Sequence, residues 1–281
     1  FPGNHEMVKK LAERGVISLT LDSIPRISRA QAMDALTSMS TVAGYKGVLL
    51  AANILPKFMP MVGTASGMIQ PSRTLVIGAG VAGLQAIATA KRLGSIVHAA
   101  DIRPEAAEQA ASVGAKIIDL GIPPEMAVGA GGYARKLPDE LLEHEREVLR
   151  QPVAQADIII LSALIPGKLA PVIITGEMVK SMNSGSVIVD IAIDQGGNCE
   201  LTEAGKTVAK HDVTIIGIQN IPGMVAVSST WMFANNVYNF IQNMLKEGRI
   251  HLDAGDEIIS SCLVTTGGKI VHAGAREAMS L

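Results

Sequence analysis

Gly78, Gly80 and Gly83 form G-x-G-x-x-G within "VIGAGVAGLQAIATAKRLGSIVHAAD" (76–101). The chemistry this spacing serves is capture of a pyrophosphate. Gly78 allows a tight turn, Gly80 lets the backbone approach a phosphate, and Gly83 permits close helix–strand packing. Val81 and Ala82 begin the helix whose free N–H groups and positive dipole end would face the anion. Asp101 closes the next apolar run, 18 residues after Gly83. A carboxylate there accepts hydrogen bonds from ribose hydroxyls and repels a 2′-phosphate, which favours NAD over NADP. Ile102 and Arg103 follow it and are expected among the cofactor contacts, although the Arg103 cation weighs slightly the other way. The same glycines also suit helix–strand packing with no ligand. Strand, helix, second strand and acid in register favour the nucleotide.

Four further stretches carry reactive or mobile residue types. In "PRISRAQAMD" (25–34), Arg26, Gln31 and Asp34 come from one loop and the first turns of one helix. An amide such as Gln31 both donates and accepts, which suits a carboxamide or ribose. The same spacing also fits a capping box, Ser28 with Gln31, beside a solvated Arg/Asp pair. "SALIPG" (162–167) falls at a strand end, where ligands of open α/β sheets lie. Small side chains at Ser162 and Ala163, next to Leu164, would let a ring pass, although an ordinary βα turn looks the same. "VDIAIDQGGNCE" (189–200) offers Asp190, Asp194, Asn198 and Glu200 to the same crevice. Cys199 has no basic neighbour in sequence and suits a small, semi-buried residue. "AVGAGGYARKLPDE" (127–140) holds Gly129, Gly131, Gly132 and an aromatic, Tyr133, before Arg135 and Lys136. Its glycines suit a lid that closes over a ligand with Tyr133, or a surface insert. His5, His98, His144, His211, His251 and His272 fall in no motif.

The elements that must position these residues follow from periodicity. Helices are expected over 4–14 and from about 29 to 58, with a strand over 16–22 between them. From Arg73 onward strand-like and helix-like runs alternate. Strands are expected at "TLVIG", "SIVHAA", "KIIDL", "ADIIILSAL", "SVIVDIA" and "VTIIGI", and helices over 81–93, 104–113, after Pro138 and at "GEMVKSM". That alternation implies an α/β fold, a Rossmann-type doubly wound parallel sheet with right-handed crossovers. A last helix over 228–246 precedes a short β-rich tail containing "TGGK". Residues 39–221 are expected to form the nucleotide-binding domain, with a mobile loop at 121–140. Residues 1–38 with 222–281 would form a second α/β domain, incomplete at its N-terminal side. The chain opens at Phe1, directly into a helical pattern, which suggests a piece of a longer polypeptide.

Composition narrows the function classes. The 281 residues are 48% hydrophobic and carry a formal net charge of −2, so no basic footprint for nucleic acid exists. Aromatics make up only 3%, leaving Ala, Val, Ile, Leu and Met for the apolar positions, as parallel sheets buried on both faces require. Two cysteines, Cys199 and Cys262, make neither a metal-ligand spacing nor a disulfide framework, so no metal is expected and a reducing compartment is. The longest apolar run, 158–165, is far too short to span a bilayer.

Taken together, "PRISRAQAMD", "GAGVAGLQAIATAKRLG", "ADIRP", "GGYA", "ALIPG" and "GGNCE" resemble the NAD(H)-binding component (domain I) of proton-translocating transhydrogenase, collinearly over roughly 20–245. The resemblance implies that Arg26, Gln31 and Asp34 serve the nicotinamide end of NAD(H), with Gln31 orienting the ring or its ribose. Asp101 would hold the adenosine ribose and Tyr133 would sit on a loop closing over the nucleotide. It further implies Re/Si-specific hydride transfer to NADP⁺ on a partner component joined to a membrane proton channel. The chain would be a homodimer, peripheral on the cytoplasmic or mitochondrial-matrix face of that membrane. Alanine dehydrogenase is the nearest alternative. "IAIDQGG" and "NIPGMVAVSST" lean that way, so Asp194 stays ambiguous between the two. Oxidising an amino acid moves a proton as well as a hydride and needs a general acid or base. Transfer between two nicotinamides needs alignment and water exclusion instead, and no motif here places a His or Lys.

Overall fold

In a computed structural model of the chain, residues 4–129, 132, 134–165 and 168–281 are described. They group into two units. Phe1–Met39 joins Ala226–Leu281 in one, and Ser40–Val225 forms the other. Helix α1 (His5–Glu13) leads to β1 (Ser18–Leu19), a 3₁₀ segment (Ser28–Met33) and helix α2 (Ala35–Ile54). The strand expected over 16–22 is only two residues long. Thr20 Oγ1 accepts the Asp22 N–H at 3.2 Å and turns the chain into a 3₁₀ helix (Leu21–Ser23) instead.

The single helix expected from 29 to 58 is two elements. Asp34 leaves the helical region with ψ 88°. Its Oδ1 accepts the Thr37 N–H at 2.8 Å and its Oδ2 the Thr37 hydroxyl at 2.7 Å, so Asp34 caps α2. The Ser28–Gln31 capping box does not form. Ile27 precedes the 3₁₀ segment without a side-chain cap. Pro56 stops α2 at the other end by excluding helical backbone from the residue before it. Gly44, a weak helix former, has a packing reason inside α2: a Cβ there would overlap the Ala82 carbonyl.

A hairpin, β2 (Val62–Thr64) with β3 (Gly67–Ile69), precedes the main sheet and had no counterpart in the expected pattern. Next come β4 (Arg73–Ile77), α3 (Val81–Arg92), β5 (Ile96–Ala100), α4 (Pro104–Ser112), β6 (Lys116–Ile117), α5 (Pro124–Ala127), α6 (Asp139–Gln155), β7 (Ile158–Leu161), α7 (Gly176–Lys180), β8 (Val187–Asp190), β9 (Thr207–Lys210) and β10 (Val213–Ile216). The sheet order is β6-β5-β4-β7-β8-β10-β9, parallel from β6 to β10. The edge strand β9 runs antiparallel against β10. Sequence periodicity missed it because its hairpin turn is His211-Asp212, at φ 53° and 60°. Both central residues of a type I′ turn need positive φ, and the usual Asn-Gly signal is absent.

Alternate residues of each strand point to opposite faces of the sheet. Val76, Val97, Ile160 and Val189 pack with Val48 and Ala51 of α2 and with Ala86, Ile87 and Ala110 of α3 and α4. Leu75, Ile77, Ile159 and Ile188 pack on the other face with Leu149 and Val153 of α6 and Met178 of α7. Burying each such side chain is worth about 1.5–3 kcal/mol. The result is a doubly wound Rossmann-type α/β fold whose strand order reverses between β4 and β7.

The other unit continues with α8 (Ala226–Met244), a small hairpin of β11 (Leu245–Lys246) and β12 (Arg249–Ile250), α9 (Glu257–Cys262), β13 (Leu263–Thr266), β14 (Lys269–Ile270) and α10 (Ala273–Ala278). Strands β1, β13 and β14 form one antiparallel sheet. The expected β-rich tail thus also holds two short helices. Phe240 and Met244 of α8 pack with Ala30, Met33, Ile258 and Cys262. Arg29 grips Asp256, the N-cap of α9, through two hydrogen bonds at 2.8 and 3.0 Å. That guanidinium holds the Asp256 carboxyl well below the usual carboxylate range. Among the described residues no helix is long and apolar enough to cross a membrane.

Candidate nucleotide site

The strand order reverses between β4 and β7, and ligands of such sheets bind beyond the strand C-termini at that point. Gly78 makes the turn out of β4 at φ +87°, and a Cβ on it would stand 2.7 Å from the Ala163 nitrogen. The Ser162 hydroxyl donates to the Gly78 carbonyl at 2.7 Å and pins the turn from β7. Gly83 sits so close behind that a Cβ would overlap the Gly78 carbonyl. Gly80 is different. The nearest atom to a Cβ there is Arg103 Nη2, at 4.0 Å, so the space in front of it is open. Val81 and Ala82 are half-buried in the first turn of α3, whose leading N–H groups have no partner inside the helix. A tight turn, open space at Gly80 and unpaired helix N–H groups together fit a pyrophosphate.

Asp101 follows β5 and faces the same turn. Its Oδ2 accepts the Ala79 N–H at 2.7 Å and Arg103 Nη2 at 2.9 Å. Its Oδ1 accepts the Arg103 N–H at 2.8 Å and Nε at 3.0 Å. Ile102 is half-buried and packs against the core beneath. Arg103 also reaches the Gly132 carbonyl through Nη1 at 3.4 Å. Tyr133, expected as the closing aromatic, lies outside the described residues with Ala130 and Gly131. The described flanks of the insert are anchored. Ile122, Ala127 and Leu137 are buried, Val128 bridges Ala134, and the Arg135 N–H donates to the Ala127 carbonyl at 2.8 Å.

The loop after β7 holds Ser162, Ala163 and Leu164, all half-buried. It is shaped from behind by Asn198. The Asn198 amide clasps Ala163 on both sides, accepting its N–H at 3.0 Å and donating to its carbonyl at 2.9 Å, and donates again to the Pro171 carbonyl at 2.8 Å. Asp190 in turn holds the Asn198 segment. Its Oδ2 accepts the N–H groups of Asn198 at 2.9 Å and Cys199 at 3.1 Å and the Thr202 hydroxyl at 3.0 Å. Burial pushes the Asp190 carboxyl above its ordinary range.

These positions correct the expectation for residues 189–200. Asp190 was expected among the nucleotide contacts, but it is fully buried and turned inward, so it supports the loop rather than lining the crevice. Asn198 is buried likewise. Glu200 accepts the Gly176 N–H at 2.6 Å at the start of α7, and exposed Asp194 accepts the Asn220 N–H at 3.3 Å. Burial pushes the Cys199 thiol up, away from nucleophilic use. Arg26, Gln31 and Asp34 all belong to the other unit, where Arg26 and Gln31 are exposed and Asp34 is committed to its cap.

Glu145 was singled out by no motif. It sits on the buried face of α6 at 4% exposure, between Leu141 and Leu149. Burial pushes its carboxyl up to about 7, the negative charge of Asp101 adds to the rise, and Arg146 offsets some of it.

Fold and site together define a dinucleotide-binding α/β protein, and the chain belongs to the alanine dehydrogenase/PNT C-terminal domain family, whose pattern matches residues 47–273. Within that family it is more similar to transhydrogenase alpha subunits than to alanine dehydrogenases. It is 44% identical over 272 residues to the first portion of the NAD(P) transhydrogenase alpha subunit of Rhodospirillum rubrum, covering 96% of this chain and 71% of that protein. The crystal structure of a transhydrogenase from Sinorhizobium meliloti superposes with a TM-score of 0.83 at 40% identity, over 96% of this chain and 72% of that one. Alanine dehydrogenase of Staphylococcus saprophyticus is more distant, at 30% identity over 284 residues, 98% of this chain and 70% of that enzyme.

Proposed function

We propose that the chain is the NAD(H)-binding component of a proton-translocating transhydrogenase and passes hydride directly between NADH and NADP⁺ held on a partner component. The open space at Gly80, between the α3 N-terminus and Asp101, carries this reading on the structural side. Gly78, Gly80, Val81, Ala82 and Gly83 would hold the pyrophosphate, and Asp101 the adenosine ribose. Ser162, Ala163 and Leu164 would shape the crevice wall, with Asn198 and Asp190 fixing that wall in place. Gln31, with Arg26, would orient the nicotinamide, while Asp34 caps the helix that follows them. Bound NADH supplies the hydride. The tasks left to the chain are to bind, align and exclude water, none of which needs a proton relay. The partner would supply the membrane-spanning region and the proton path, and this chain would act as a homodimer on that membrane's cytoplasmic or matrix face.

The test is to mix the protein with a purified NADP(H)-binding transhydrogenase component and follow NADH-driven reduction of an NADP⁺ analogue. A rate at background despite NADH binding sinks the proposal. NADH oxidation dependent on pyruvate and ammonia would instead assign alanine dehydrogenase activity. In the mixed assay, Gln31→Asn is expected to keep NADH affinity while slowing hydride transfer, and an unchanged rate removes Gln31 from the site. Asp101→Ala is expected to weaken NADH binding by roughly 1–3 kcal/mol, the scale of a charge-assisted hydrogen bond left unmade. Calorimetric titration checks this, and equal affinity would rule out the ribose role.

A further inference from the structure

The Asp101 carboxylate is full. A carboxylate offers about four lone-pair sites, and all four are taken at 2.7–3.0 Å. Two go to backbone N–H groups, of Ala79 and Arg103, which the β4 turn and the chain beyond β5 fix in place. The other two go to the Arg103 guanidinium, through Nε and Nη2, in a side-on bidentate pair. The pair is well covered, with side chains 17% and 5% exposed. A ribose presents two vicinal hydroxyls, and the only sites they can enter are the two that Arg103 occupies.

We propose that Arg103 is a built-in competitor for the nucleotide ribose and thereby sets the affinity of the site. In the free protein its guanidinium satisfies Asp101. On binding, the two ribose hydroxyls replace its two hydrogen bonds, and the guanidinium moves off the carboxylate and gives up the Gly132 carbonyl. The exchange is matched in number, so Asp101 is never left buried with empty acceptor sites. Arg103 Nη2, at 4.0 Å, is the one atom near where a Gly80 Cβ would be, so no backbone packs over that side of the guanidinium and holds it on the carboxylate. This inference rests on the assignment of Asp101 as the ribose acceptor.

The experiment compares 5′-AMP with 2′,3′-dideoxy-AMP by calorimetric titration of the wild-type protein and of Arg103→Met, which keeps the aliphatic stem but not the fork. Arg103→Met should bind 5′-AMP about tenfold tighter than wild type, because no ion pair has to be broken first. It should bind the dideoxy nucleotide no tighter, because that ligand never asks Arg103 to leave. A gain shared equally by both nucleotides, or no gain for 5′-AMP, overturns the proposal. Arg103→Lys, with one point charge in place of the fork, should give a smaller gain with the same ribose dependence, and serves if the Met variant unfolds. If wild type binds neither NADH nor 5′-AMP, the nucleotide-site reading falls first. Binding with an unaltered ratio leaves that reading standing and removes only Arg103.

Discussion

Asn198→Ala is expected to cost about 3–5 kcal/mol of folding stability and to abolish measurable NADH binding. The substitution removes no surface contact and no catalytic group. It strips partners from three part-buried backbone groups at once: the Ala163 N–H, the Ala163 carbonyl and the Pro171 carbonyl. Each buried polar group left unpaired costs about 1–3 kcal/mol, less whatever water recovers. Asn198 itself is fully buried, but Ala163 and Pro171 are half-buried, so the total falls toward the low end of that range. The loop after β7 would then lose the clasp that holds Ala163 beside Gly78, and the phosphate turn would lose its neighbour. Asn198→Asp should do no better, since its carboxylate would face two carbonyl oxygens in place of the amide NH₂. Urea unfolding with and without NADH measures both effects. An Asn198→Ala protein with wild-type midpoint and affinity would show that the clasp does not shape the site.

The doubly wound half was legible because its signals are local. Gly78 and Gly83 have a backbone reason for being glycine, Gly80 leaves the space in front of it open, and the buried runs "IIIL" and "VIVD" can only be interior strands. The errors share one physical origin, which is that side-chain direction at an element's end is not encoded in spacing. Asp34 looked like a helix-face residue and is a cap. Asp190 looked like a ligand contact because an acid at a strand end has the same sequence signature whether it faces the crevice or the interior. Only its three inward hydrogen bonds distinguish the two. Strand β9 was hidden by a His-Asp turn that takes positive φ without glycine. Arg103 was expected among the cofactor contacts, as a cation that slightly weakened the case for NAD. In the fold it is the residue that saturates Asp101.

Glu145 was the least legible of all, since "DELLEHEREVLR" holds five acidic residues and its pattern alone does not say which of them turns inward. Its burial makes a pH-dependent prediction. The folded-state carboxyl titrates at about 7, against 4.5 when unburied. A group raised in the folded state contributes its stability fully below the unfolded value and loses it as pH rises through the folded one. Wild-type stability should therefore fall between about pH 4.5 and pH 7 and stay lower above, by on the order of 3 kcal/mol from this group. Glu145→Gln keeps the shape and cannot ionise. It should match the wild type near pH 4.5 and exceed it at pH 8.5 by up to that amount. Denaturant unfolding of both proteins across that range isolates the group, because every other titration cancels in the difference. Parallel curves for the two proteins would show that Glu145 stays charged or reaches water. A divergence would also place a second ionisation next to Asp101 within the neutral range. NADH affinity should then weaken in the wild type as Glu145 loses its proton, since Asp101, already crowded by that charge, would bind its guanidinium partner more firmly and yield it less readily to ribose hydroxyls. The Gln variant should show no such decline.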